Sequence, residues 1–182
     1  MSIAALAVMI AVGVKMFSKP KIIPRSNDFH RVDPESGFVR VRSGGKWGLV
    51  SASGSVILPL EYNAIEEMRE GLSAVMKGGK WGYIDGAAKV AIPIRYDAAL
   101  SFSGGTAGAS VNGKWGVINS AGDWVIKPRY DMITAFDADN LAAATIFGTG
   151  ERVIYDRRGN VIRRTGGQKR TGGRNARPAP PR

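Results

Sequence analysis

A chain of 182 residues has room for one domain with tails. It carries no cysteine and a single histidine, His30, which excludes disulfides, cysteine-rich zinc sites and multi-histidine metal centres. The net charge of +11 sits at the ends, since residues 32–162 hold 14 basic and 14 acidic side chains; polyanion binding, if any, is therefore expected at the termini.

The first segment is Ile3–Val14, "IAALAVMIAVGV", apolar or glycine throughout and followed by Lys15, Lys19, Lys21 and Arg25. As a helix, residues 1–17 reach ~25 Å, a short single span with Lys15 at the interface. A secretory signal has its positive charge before the apolar stretch, whereas here it follows, and no cleavage site stands out after Val14. The expectation is a membrane anchor through residues 3–17, with residues 1–24 as anchor and basic flank. The positive-inside tendency then places the body in the cytoplasm. The alternatives are an exported protein with a signal-like segment, a helix packed on the body, or an upstream start, Met9 and Met16 being later ones. Residues 25–36 read as a linker containing "NDFHRVDPESG", in which His30 serves loop chemistry and not catalysis.

From residue 37 the chain repeats. "GGKWG" at Gly44–Gly48 returns at Gly78–Gly82, and "NGKWG" follows at Asn112–Gly116, so Trp47, Trp81 and Trp115 keep a period of 34 residues. Tyr62, Tyr96 and Tyr130 keep the same period, as do Gly37, Gly71 and Gly105, and Gly54, Ala88 and Gly122. A period of this size marks a repeat architecture. The units run 37–70, 71–104, 105–138 and 139–163. The fourth is degraded: "RVIYDRRGNVI" from Arg152 aligns with "WGVINSAGDWV", which puts Arg152 in the tryptophan slot.

Each unit reads as three short strands. Gly44-Gly45, Gly78-Gly79 and Asn112-Gly113 are the pairs that a two-residue type I′ hairpin turn requires. The third strand alternates: Val56, Leu58 and Leu60, then Val90, Ile92 and Ile94, then Trp124, Ile126 and Pro128 share a face. Pro59, Pro93 and Pro128 cannot donate to a ladder, so this strand ends there or lies at a sheet edge. Such a unit cannot bury its own apolar face. Each tryptophan, with ~150–250 Å² of surface, is expected to supply the core between units, worth at most ~4–6 kcal/mol. The glycine after it (Gly48, Gly82, Gly116) leaves space for a neighbouring backbone or ring. The lysine before it (Lys46, Lys80, Lys114) lays its stem on apolar surface.

These residues resemble the WG repeat, or KWG repeat, of bacterial proteins. The likeness rests on the Lys-Trp-Gly triplets, on Tyr62-Asn63, Tyr96-Asp97 and Tyr130-Asp131, and on Gly71-Leu72, and covers residues 37–163. It implies an all-β hairpin array with a binding or structural role and no catalytic residues to carry over. Ala88 in place of the turn glycine, Lys127 in place of proline and the missing fourth tryptophan depart from it. The fold class expected is thus all-β: tandem three-stranded hairpin units in an open solenoid-like array, with a propeller-like ring as the alternative.

Residues 164–182, "RTGGQKRTGGRNARPAPPR", read as a disordered basic tail. Arg163, Arg164, Lys169, Arg170, Arg174 and Arg177 are the candidate contacts to nucleic acid or anionic lipid, although no aromatic is interleaved to stack on bases. Glu66, Glu67 and Glu70 share one segment but have no acidic counterparts in other units, so they read as a solvated turn. "SFSGGTAGAS" lacks the strand–loop–helix setting of a phosphate loop. No cofactor, metal or small-molecule substrate is expected. The functional expectation is a non-catalytic, membrane-tethered scaffold for an unidentified protein partner. Polyanion binding by the tail and glycan binding by exposed tryptophans are the alternatives.

Overall fold

The computed structural model describes residues 29–134, 136–137 and 139–167, and these contain only strands and turns. Sixteen strands form four antiparallel meanders of four strands each. The first sheet holds β1 (Phe29–Val32), β2 (Val39–Ser43), β3 (Lys46–Val50) and β4 (Val56–Tyr62). The second holds β5 (Ala64–Ile65), β6 (Leu72–Lys77), β7 (Lys80–Asp85) and β8 (Val90–Tyr96). The third holds β9 (Ala98–Ala99), β10 (Thr106–Val111), β11 (Lys114–Asn119) and β12 (Trp124–Tyr130). The fourth holds β13 (Met132–Ile133), β14 (Leu141–Ile146), β15 (Glu151–Asp156) and β16 (Val161–Thr165).

The unit therefore has four strands, not the three expected. The extra one is a two-residue strand supplied by the segment after each Tyr-Asn or Tyr-Asp pair, too short to show a period-two pattern. In the first sheet this place is taken by β1, so His30 and part of the expected linker 25–36 lie in a strand. At the other end β16 takes in Arg164 and Thr165, two residues expected in the tail. The apolar segment 3–17 and residues 168–182, including Lys169, Arg170, Arg174 and Arg177, lie outside the described residues. Among the described residues no helix is long and apolar enough to cross a membrane.

The hairpin turns follow the sequence. Gly44, Gly45, Gly78, Gly79, Asn112 and Gly113 all have positive φ, as a type I′ turn demands. Prolines 59, 93 and 128 sit within β4, β8 and β12, each the outermost strand of its sheet, where a missing N–H interrupts no ladder.

By its contacts the chain divides at Glu61/Tyr62 into two compact units. In the first unit Val41, Leu49, Val50 and Leu58 of the first sheet are buried. In the second, three sheets bury their faces on one another. One core lies between the second and third sheets, with Leu72, Tyr83, Ile92 and Tyr96 meeting Phe102, Ala107, Ala109 and Ile118. A second core lies between the third and fourth, with Val117 and Tyr130 meeting Ile133, Ala142, Ala144, Val153 and Tyr155. Alanines on β10 and β14 keep these layers close.

The fully buried rings are tyrosines, not the tryptophans expected: Tyr83, Tyr96 and Tyr155 are 0 % exposed. Trp47, Trp81 and Trp115 are half-buried, and Trp81 and Trp115 flank the two cores from their margins. An indole is too large for the narrow space above alanine-lined strands, so it covers the edge of the core while the tyrosine fills it.

Candidate functional site

The repeated motif builds three local devices. The first lies at the Trp-Gly pair. Trp81 opposes Tyr96 and Tyr83 opposes Ile92, so on β8 three residues face the single Gly82. A Cβ on Gly82 would stand 2.7 Å from the Ile92 carbonyl oxygen and 2.7 Å from the Ile94 Cα. Gly116 does the same under β12, where a Cβ would stand 2.8 Å from the Pro128 nitrogen and would also collide with the Ile126 carbonyl oxygen. Gly48 lies 2.7 Å from the Leu58 carbonyl oxygen by the same measure. The glycine is the floor of a bulge, and the bulge turns Tyr96 and Tyr130 into the core. The fourth sheet supplies the control. Val153 occupies the glycine slot there, and Arg152↔Thr165, Val153↔Arg164 and Ile154↔Arg163 pair with no extra residues.

The second device joins repeats. Lys80 Nζ donates to Asp97 Oδ1, and Asp97 Oδ2 accepts from the Gly113 amide at 3.4 Å in the hairpin turn of the next unit. Lys114 bonds Asp131 in the same way, and Asp131 accepts from the Phe147 amide at 2.9 Å. The lysine of one motif, the aspartate of its Tyr-Asp pair and the next hairpin turn thus form a chain. The Lys80 ammonium holds the Asp97 carboxyl below the usual carboxylate range, helped by the turn amides, and Lys114 does so for Asp131. Asn63 keeps only the turn half of the device, accepting from the Gly78 amide at 3.1 Å. In the fourth unit Glu151 replaces the lysine and pairs with Arg164 at 2.7 Å and Arg129 at 3.5 Å.

The third device holds the other turns. Asp85, Asn119 and Asp156 each accept from the backbone amides two and four residues on, at 2.9–3.0 Å. Asn160 donates to Asp156 and lowers its pKa. Glu70, expected to be a solvated turn acid, reaches the next unit: its carboxylate accepts from the amides of Gly104 and Gly105, the latter at 2.7 Å. Glu70 takes φ 54, a costly value for a residue with a side chain.

Tyrosine hydroxyls cross the same junctions. Tyr83 donates to the Leu100 carbonyl at 2.7 Å, and Tyr96 lies 3.4 Å from the Gly122 carbonyl. Burial pushes the Tyr83 and Tyr155 hydroxyls well above the usual phenol value, and Tyr155 Oη has no hydrogen-bond partner among the described residues.

The matching positions are thus a fastening system that recurs every 34 residues, and a family model described as a WG containing repeat matches it three times in tandem, at residues 47–81, 81–115 and 115–146. Together these matches span more than half of the chain. The chain belongs to the WG containing repeat family. The last WG match ends at Ile146, just before Glu151-Arg152-Val153 replaces Lys-Trp-Gly. No curated protein matches this WG repeat chain.

The predicted site residues fall into two groups. Trp81 and Tyr96 come together at the junction of the second and third sheets, and Trp115 and Tyr130 at that of the third and fourth, while Trp47 and Gly48 lie in the first unit. Arg163 and Arg164 stand on β16, exposed at the end of the WG array, with Arg164 paired to Glu151. The Lys–Asp link was missed because its partners are 17 residues apart; the signal was the common period of the Lys-Trp-Gly and Tyr-Asp motifs. A shallow depression of about 370 Å³ lies at the fourth sheet, lined by Asp139, Asn140, Leu141, Asp156, Arg157 and Arg158. Among the described residues no group of histidine, aspartate and glutamate is arranged to hold a metal.

Proposed function

We propose that this WG repeat protein is a non-catalytic, membrane-tethered scaffold that binds another protein through the surface of its array. The observation that supports this reading is the use made of its ionised groups. Asp97 and Asp131, whose carboxyls have lowered pKa, are held by a lysine and by turn amides of the next unit, and Asp156 by an asparagine and the amides of its own turn. Perturbed groups at a reaction centre sit desolvated in a cleft; these carboxylates stay partly exposed, and their bonds go to lysine, asparagine and turn amides of the frame. The apolar segment 3–17 with its basic flank supports the tether and the cytoplasmic placement of the array.

The test uses C-terminally tagged full-length protein and a form lacking residues 1–21. Retention in the membrane pellet after a carbonate wash, lost on deletion, is the expected outcome. Soluble protein in both cases overturns the tether. For the scaffold, a partner cross-linked in cells to the full chain should be captured equally by a chain ending at residue 167.

The exposed Arg163 and the basic residues beyond it favour a second reading, polyanion binding. In that case capture vanishes with residues 168–182, and affinity falls steeply with salt.

A further inference from the structure

The outer edges of the sheets differ in how far they are blunted. A sheet edge carries a row of unpaired N–H and C=O groups and invites another strand, so proteins blunt their edges. Here β5, β9 and β13 are only two residues long, and β1 has four. The opposite edges, β4, β8 and β12, contain Pro59, Pro93 and Pro128, and β8 and β12 are also broken by the register shift over Gly82 and Gly116. The edge β16 is five residues long and has no proline. Its register with β15 shifts once, between Ile154 and Tyr155, and beyond that shift Arg163, Arg164 and Thr165 pair with Ile154, Val153 and Arg152 without interruption. No strand among the described residues pairs with its outer side. All of its residues are exposed, Val161 at 52 % and Ile162 at 56 %.

The charge around this edge selects its occupant. Residues 151–165 contain five arginines and two acids, Glu151 and Asp156. Both acids are engaged, Glu151 by Arg164 and Arg129 and Asp156 by its own turn. A second copy of this chain paired antiparallel on β16 would set arginine against arginine, which destabilises a strand pair. An extended segment with acidic side chains gains both the open hydrogen bonds and the charge.

We infer that the outer edge of β16 is a docking strand, and that the partner of the scaffold adds to it an extended segment bearing glutamate or aspartate at alternate positions. This deepens the scaffold reading and rests on it. Main-chain hydrogen bonds supply the affinity. Arg163 meets the acids on the outer face, and Val161 and Ile162 give apolar contact.

The test titrates the full chain, in detergent, with a short synthetic peptide alternating Glu with Val and Thr. Three comparisons run beside it: the same peptide N-methylated at alternate amides, the peptide with Lys in place of Glu, and the variant Arg163→Glu. The expected result is slowed amide hydrogen exchange at residues 161–165 with the acidic peptide. Affinity should fall roughly tenfold or more on N-methylation, which removes hydrogen bonds without changing charge. It should fall again for the Lys peptide and for Arg163→Glu, whose exposed side chain has no core role. Protection elsewhere, equal binding of the N-methylated or Lys peptide, or no binding of the acidic peptide overturns the inference. Those outcomes leave the scaffold reading standing where the cross-linked partner is still captured. Loss of that capture sinks the scaffold reading on its own evidence.

Discussion

Gly82 lies directly beneath Ile92 and Ile94, so close that the smallest side chain at position 82 would enter the backbone of β8. This contact explains why glycine follows tryptophan in each intact motif. It also explains why the outer strand needs two more residues than its partner to reach the tyrosine. Gly82→Ala must therefore push β8 outward and dislodge Tyr96. A loss of about 3 kcal/mol is expected, measured by urea unfolding. A loss below about 0.5 kcal/mol would show that the bulge is not needed to seat Tyr96.

Ala88 holds φ 58 in a turn where Gly54, Gly122 and Gly159 hold φ 82–84. An alanine pays steric strain there that a glycine does not. Ala88→Gly should stabilise the protein by about 0.5–1 kcal/mol, even though glycine widens the unfolded ensemble. A higher urea midpoint with an unchanged slope is the expected signature.

The two core hydroxyls make opposite predictions. Tyr83→Phe removes a donor from the Leu100 carbonyl and should cost about 1 kcal/mol. Tyr155→Phe removes a buried hydroxyl with no partner among the described residues, and stability should stay level or rise by up to about 1 kcal/mol. Thermal unfolding of the two variants side by side checks the contrast; an equal loss in both would contradict the assigned hydrogen bonding.

The lysine–aspartate links make stability depend on acid. Asp97 and Asp131 ionise more readily in the folded chain than in the unfolded one. Their contribution is whole above the unfolded carboxyl value, about pH 4, and is lost as pH falls through the lower folded value. Replacing both by asparagine should lower stability at neutral pH and flatten the acid limb below about pH 4. A variant with the acid limb of the parent would mean that the decline comes from other carboxyls.

Trp81→Ala, at the margin of its core, should cost less than Tyr96→Ala, whose ring is fully buried. About 2 and about 4 kcal/mol are the expected losses. The reverse order would return the central role to the indole.

Much of this fold could be read from the sequence because its signals are local. The turn pairs at Gly44-Gly45, Gly78-Gly79 and Asn112-Gly113 demand positive φ. The prolines demand an edge. The alternation of Val90, Ile92 and Ile94 marks a strand, although only Ile92 of the three is buried and Val90 is exposed, because the register shifts on either side of Ile92 break the common face. What escaped was set by packing between units. Ala64-Ile65 forms a strand only because β6 is there to pair with it. Tyr83 displaces Trp81 from the centre because the neighbouring sheet presents Ala107 and Ala109. Glu70 looked idle because its partners, Gly104 and Gly105, belong to the following repeat.

Val117 and Ile118 are neighbours on β11, yet each belongs to a different core. A strand that faces two layers is held from both sides, whereas a strand at the end of the stack is held from one. The fourth sheet can therefore fray while the junction of the second and third stays closed. The third sheet cannot open without exposing both cores. Resistance to opening is thus graded across the second, third and fourth sheets, greatest at the third, and cooperativity passes from repeat to repeat through single strands such as β11.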